Sequence, residues 1–187
     1  MFLTDLAGTG LVLTAPTPSD IDRIAKCCTD PAIGRWTTMP VPYTRSDAEA
    51  FVRKVVPVGW ADRSPTWAVR RTAAGAVLGM IGLGSRDSSA AEVGFWLAPE
   101  ARGEGIITRA LNLVCDFGFR VDALALERIE WRAFVGNSAS AGVARRVGFR
   151  FEGTARSGGL QRGTRRDMWV AALLPDDPRE PAAGWPD

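Results

Sequence analysis

Residues 92–120, EVGFWLAPEARGEGIITRALNLVCDFGFR, join an alternating strand to a glycine turn and an amphipathic helix, and no other stretch constrains the fold so strongly. Val93, Phe95 and Leu97 alternate with Glu92, Gly94 and Trp96, the period-two pattern of a half-buried strand, and Pro99 ends it. Past Arg102-Gly103-Glu104-Gly105, the residues Ile106, Ile107, Ala110, Leu111, Val114, Phe117 and Val121 recur at intervals of three and four. That spacing predicts one buried helical face beginning at the glycines. A helix N-terminus leaves backbone N–H groups unpaired and carries about half a positive charge, so a glycine turn that exposes the backbone there makes an anion site suited to pyrophosphate. The same glycines also serve a plain tight turn, and an isolated G-x-G does not separate the two roles.

The rest of the chain supplies strands and helices around this join. Residues 11–13 read as a first strand, and Thr17-Pro18-Ser19-Asp20 caps a helix over about 20–28. Residues 30–43 hold Pro31, Pro40 and Pro42 and predict an irregular loop anchored by Trp36. Thr44-Arg45-Ser46-Asp47 starts a second helix that Pro57 and Gly59 close, and 67–70 with 76–83 form a hairpin turned at 72–75. Beyond the long helix, 127–134 alternates as a strand. Asn137 caps a helix to Val147, Gly148 breaks it, and 149–153 and 167–174 are further strands. The tail 175–187, rich in proline and charge, is expected to be loose. At 187 residues one domain is the default, with its core over about 11–174. The order of elements predicts an α/β fold, a mixed, mostly antiparallel sheet with helices on both faces.

Composition removes several chemistries. The chain has no histidine, which excludes histidine triads and histidine metal sites. Cys27, Cys28 and Cys115 have neither the number nor the spacing of a disulfide framework or a zinc site, so no metal is expected and a reducing cytoplasm fits. A net charge of +2, with basic residues spread along the chain, gives no nucleic-acid footprint. No apolar run is long enough for a membrane span, and no export signal is seen.

Arg102-Gly103-Glu104-Gly105 after Phe95-Trp96-Leu97 resembles the acyl-CoA-binding turn of the GNAT N-acetyltransferases, Arg/Gln-x-x-Gly-x-Gly/Ala, with Ile107 in place of the last small residue. Pro42-Tyr43-Thr44, residues 91–97, Asn137-x-x-Ser140, Arg146-Val147-Gly148-Phe149 and Phe151-Glu152-Gly153 are similar to the ribosomal-protein alanine N-acetyltransferase (Rim-type) branch. The resemblance implies transfer of an acetyl group from acetyl-CoA to a primary amine: a protein N-terminus, an amino acid or a small amine. It implies acyl-CoA and an amine acceptor as partners and leaves a homodimer open. Succinyl-CoA as donor, or a non-catalytic CoA-binding or sensing module, are the alternatives.

By the same resemblance, Phe95, Trp96 and Leu97 flank the pantetheine arm, and Arg102, Gly103, Glu104, Gly105, Ile106, Ile107 and Thr108 hold the pyrophosphate. Asn137 contacts pantetheine, and Arg145 and Arg146 reach toward the 3′-phosphate. Ser140 stands where it protonates the leaving thiolate, although Asn137 and Ser140 also read as cap residues. An attacking amine must lose a proton, and without histidine Glu92 and Glu152 are the candidate bases. Trp36 and Tyr43 fall at the acceptor cleft. A basic stretch, Arg156, Arg162, Arg165 and Arg166, hints at an acidic acceptor, while Ser157-Gly158-Gly159-Leu160 lacks the glutamate of the ribosomal enzymes.

Overall fold

The computed structural model describes residues 3–186. Its strands, β1 (Leu6–Gly8), β2 (Leu11–Thr14), β3 (Thr66–Arg70), β4 (Gly79–Ser85), β5 (Ala90–Leu97), β6 (Arg128–Phe134), β7 (Arg150–Gln161) and β8 (Thr164–Leu173), form one sheet in the order β1-β2-β3-β4-β5-β6-β8-β7. Every pairing is antiparallel except β5 with β6, which are parallel and joined by the long helix α5 (Ile106–Phe119). A parallel pair needs such a crossover, and the strand–turn–helix run supplies it.

The pleat sends side chains to two cores. Ile81, Leu83, Val93, Ile129 and Trp131 pack under Leu111 and Val114 of α5. On the other face, Ala68 and Met80 lie against Ile21 and Ile24 of α1 (Ile21–Cys28) and Ala48 of α3 (Arg45–Ala50). A buried ion pair at 2.6 Å between Asp20 and Arg70 fastens the start of α1 to β3. Helices therefore lie on both faces, as the element order predicts.

Three local expectations give way. Residues 30–43 are not wholly irregular: Asp30 accepts from the N–H of Ala32 at 2.8 Å and caps α2 (Pro31–Trp36), with Pro31 in the first turn, where its missing N–H costs nothing. The helix from Arg45 does not close at Pro57. A π turn over Phe51–Val55 absorbs the proline, and α4 (Val56–Ala61) carries the chain on to bury Trp60. The strands at 149–153 and 167–174 are the inner ends of the longer β7–β8 hairpin, with register shifts between Phe151 and Gly153 and between Ala155 and Gly159.

The tail from Pro175 carries no helix or strand among the described residues, yet it lies against the body. Trp185 donates to the Phe149 carbonyl at 3.1 Å and sits 5.3 Å from the Trp131 ring. Ala182 exchanges hydrogen bonds with Arg145, whose carbonyl accepts at 3.2 Å and whose Nε donates at 3.1 Å.

Candidate active site

The site begins where the sheet comes apart. β5 and β6 pair only from Ala90↔Arg128 to Val93↔Trp131. Beyond that rung, Gly94 to Leu97 stay bonded to β4 on one side, and Arg132 to Phe134 stay bonded to β8. The facing edges diverge, so Gly94, Phe95 and Trp96 present a strand edge without a strand partner, and beyond them the Leu97 carbonyl accepts from Arg102. Buried backbone N–H and C=O groups require partners, and an edge opening into a cleft offers them to an extended ligand bearing amides.

The cleft leads from this splay to the glycine turn. Gly103 and Gly105 have φ of 82° and 68°, the left-handed region that favours glycine, and a Cβ on Gly103 would meet nothing within 4 Å. The first backbone bond into α5 is Arg109 N–H to Gly105 C=O at 3.1 Å. Among the described residues, the N–H groups of Gly103 through Thr108 donate to no protein acceptor. The helix dipole reinforces these free donors, so anion binding is the chemistry this backbone performs.

A cavity of about 680 Å³ gathers Phe95, Trp96, Leu97, Arg102, Gly103, Gly105, Ile106, Ile107, Thr108, Asn137, Ser140 and Trp36 on its walls. Two cofactor candidates fall outside it: Glu104 turns out to an ion pair with Arg71 at 2.6 Å, and Arg145 is engaged with the tail. Arg146 lines the cavity in place of Arg145. Arg102 sits at the turn but is tied down, donating to the Leu97 carbonyl at 3.0 Å and pairing with Asp30. Its guanidinium braces the turn between β5 and α2.

A second cavity, of about 590 Å³, opens on the other side of β5 and shares Thr37, Phe95 and Trp96 with the first. Tyr43 and Glu92 line it. Glu92 is paired with Arg86, and Tyr43 is half-buried, its hydroxyl pKa pushed up to about 12 by burial. Glu152 reaches neither cavity. It accepts from Arg128 through both oxygens, at 2.8 and 2.6 Å, at the closed end of the β5–β6 splay. The bond to Arg128 holds its carboxyl below the usual range, so it is a structural anion and not a base poised over the cleft.

Ser140 keeps both of its sequence readings because they use different atoms. Its backbone N–H donates to the Asn137 side chain at 3.3 Å, the cap of α6 (Ser138–Val147), while its Oγ accepts from the buried Trp131 indole at 3.0 Å. The indole orients the hydroxyl and leaves its proton free to donate.

The sequence did not single out Gln161. It is buried at the tip of β7, and its Nε2 donates to the carbonyls of Arg35 at 2.9 Å and Thr37 at 2.7 Å while its Oε1 accepts from Arg166 at 2.6 Å. The hairpin tip thereby clamps the segment that walls both cavities. Arg162 reaches the same segment, donating to the Met39 carbonyl at 3.1 Å, and Arg165 donates to the Ser157 carbonyl at 3.4 Å, so three of the four basic hairpin residues bond to the protein itself. Among the described residues, no cluster of metal-ligating side chains forms and no helix is long and apolar enough to cross a membrane.

A mixed sheet split between two parallel strands, with a bare helix N-terminus at the mouth of the split, is the arrangement of an acyl-CoA acetyltransferase. A family model described as an acetyltransferase (GNAT) domain matches residues 10–150, and the chain belongs to the GNAT acetyltransferase family. Among curated proteins it is 39% identical, over 102 residues, to a putative ribosomal N-acetyltransferase, YdaF, of Bacillus subtilis; the match spans 54% of this chain and 55% of that protein. The chain thus spans about half the length of that relative. A crystal structure of a probable acetyltransferase superposes with a TM-score of 0.78 at 27% identity, covering 93% of this chain and 98% of the other. The ribosomal L7/L12 α-N-protein acetyltransferase RimL, in complex with coenzyme A, gives 0.81 at 19% identity over 91% and 98% of the two chains, a likeness of fold.

Proposed function

We propose that this one-domain chain transfers an acetyl group from acetyl-CoA to a primary amine by direct attack within a ternary complex. The observation that carries the reading is the junction of two cavities at Thr37, Phe95 and Trp96: one runs to the free N–H groups of the glycine turn, the other to Glu92. A donor and an acceptor entering from opposite sides of β5 meet there without a covalent enzyme intermediate.

The residues divide the work. N–H groups from Gly103 to Thr108 hold pyrophosphate, with Arg146 within reach of the cofactor's remaining phosphate. The open edge of Gly94 to Trp96 bonds the pantetheine amides, and Asn137 lies on the opposite wall. The amine nitrogen attacks the thioester carbonyl and loses a proton toward Glu92, through solvent. The C–S bond then breaks, and Ser140, oriented by Trp131, protonates the departing thiolate. Relatives named for ribosomal and other N-acetyl transfer support this chemistry.

Release of free thiol from acetyl-CoA, followed over a panel of primary amines, tests it. Amine-dependent, saturable release is the expected result, and no release with any amine overturns the reading in favour of a CoA-binding module.

A further inference from the structure

We infer that the acceptor is a primary amine carried on a large apolar group. The inference rests on the acetyl-transfer reading and adds the substrate class. In the second cavity, β4 and β5 place their cross-strand pairs on one face, and Gly82↔Gly94 and Gly84↔Glu92 follow Met80↔Trp96 in succession. Facing residues of a strand pair share a side, so Gly84 and Gly94 leave a trough in the sheet where side chains would otherwise stand, while the space at Gly82 is taken by Thr66, whose Oγ1 would lie 2.7 Å from a Cβ there. The trough is open: a Cβ on Gly94 meets nothing within 4 Å, and one on Gly84 meets nothing nearer than 3.8 Å.

Its walls are apolar. Phe51 and Val55 of the π turn stand on one side, with Tyr43, Met80 and Trp96 at the end nearest the donor cavity. Val55 is 57% exposed and Trp96 only half-buried, so these groups hold apolar surface in water that an occupant would cover. The charged groups in the lining are Glu92 and Arg86, and they pair with each other. Among the described residues, an acidic acceptor finds no cation in this lining without a carboxylate partner, because Arg86 pairs with Glu92. A short polar amine would leave the trough filled with water. An aromatic or long aliphatic group beside the amine fills it while the nitrogen stays near Gly94, one rung from Glu92.

The test compares phenylalaninamide, alaninamide and aspartic acid 1-amide on pH-independent kcat/KM with acetyl-CoA. Burying the phenyl ring should raise kcat/KM for phenylalaninamide at least about tenfold over alaninamide, and aspartic acid 1-amide should be the poorest. Gly84→Leu and Gly84→Val each fill the trough from β4, away from the donor cavity, and at least one should erase the phenylalaninamide advantage while alaninamide turnover persists. The thermal shift with acetyl-CoA, read on the same variants, should remain and shows that fold and donor site are intact. Equal kcat/KM for the three amines, or an advantage that survives both Gly84 substitutions, overturns the inference and leaves acetyl transfer standing. Turnover of none of them overturns both.

Discussion

At the scale of single residues, the sharpest test falls on Ser140, because its two roles sit on two atoms. Ser140→Ala keeps the N–H that closes the Asn137 cap and removes only the hydroxyl. The variant should lower kcat by about 10²-fold or more with acetyl-CoA affinity little changed, since a thiolate donor acts in the transition state. It also strands the Trp131 indole N–H, so denaturant unfolding should show a loss of about 1–3 kcal/mol. Glu152 should behave otherwise. Its carboxyl is held low by Arg128, so its contribution is present above the ordinary value of 4.5 and lost as pH falls through the lower folded value. Glu152→Gln should flatten the decline of Tm below about pH 4.5 and leave the rate profile near neutrality unmoved. That rate profile should in turn follow the substrate. The chain has no histidine, and burial pushes Cys28 and Cys115 up to about 12. An acceptor of lower pKa should therefore shift the rising limb of rate against pH, and a limb unmoved by both the amine and Glu92→Gln counts against the base assignment.

At the scale of elements, Gly105 and Gln161 govern the two walls of the donor cavity. Gly105→Asp places a carboxylate at the bare helix terminus and forces a side chain into φ 68°. Strain of about 1–2 kcal/mol should appear without ligand. The stabilisation of about 2.7 kcal/mol expected from acetyl-CoA at a hundred times its dissociation constant should vanish from thermal melts. Gln161→Ala strands the carbonyls of Arg35 and Thr37, so hydrogen exchange over residues 31–39 should accelerate and KM should rise for both substrates. The first of these elements was legible in the sequence because period and glycine placement are local signals: β5, the turn and α5 stand where the pattern puts them, except that Val121, read as part of the buried face, lies past the end of α5 and is exposed. The second was not. A glutamine at the tip of an arginine-rich hairpin carries no periodicity, and the carbonyls it clamps, those of Arg35 and Thr37, lie more than a hundred positions away. Prolines misled for a related reason. Pro31 and Pro57 read as breakers, but one sits in a first turn and the other follows a π turn, so in each case the surrounding hydrogen-bond pattern decided, and that pattern is not written in the residue itself. Glu152 matched a motif yet stands at the wrong end of its sheet, which only the register could reveal.

At the scale of the molecule, the tail and the split in the sheet bear on each other. Trp185 packs on Trp131, which holds the Ser140 hydroxyl, so the end of the chain lies two contacts from the site of transfer. Trp185→Ala should lower stability by about 1–3 kcal/mol in urea melts, the cost of losing a partly buried aromatic. The split itself leaves this protein one strand short. Under the proposed function, what completes the sheet is acetyl-CoA, a small molecule whose amides mimic a peptide. Limited proteolysis should therefore slow when acetyl-CoA is present, and equal cleavage with and without it counts against a ligand that completes the sheet.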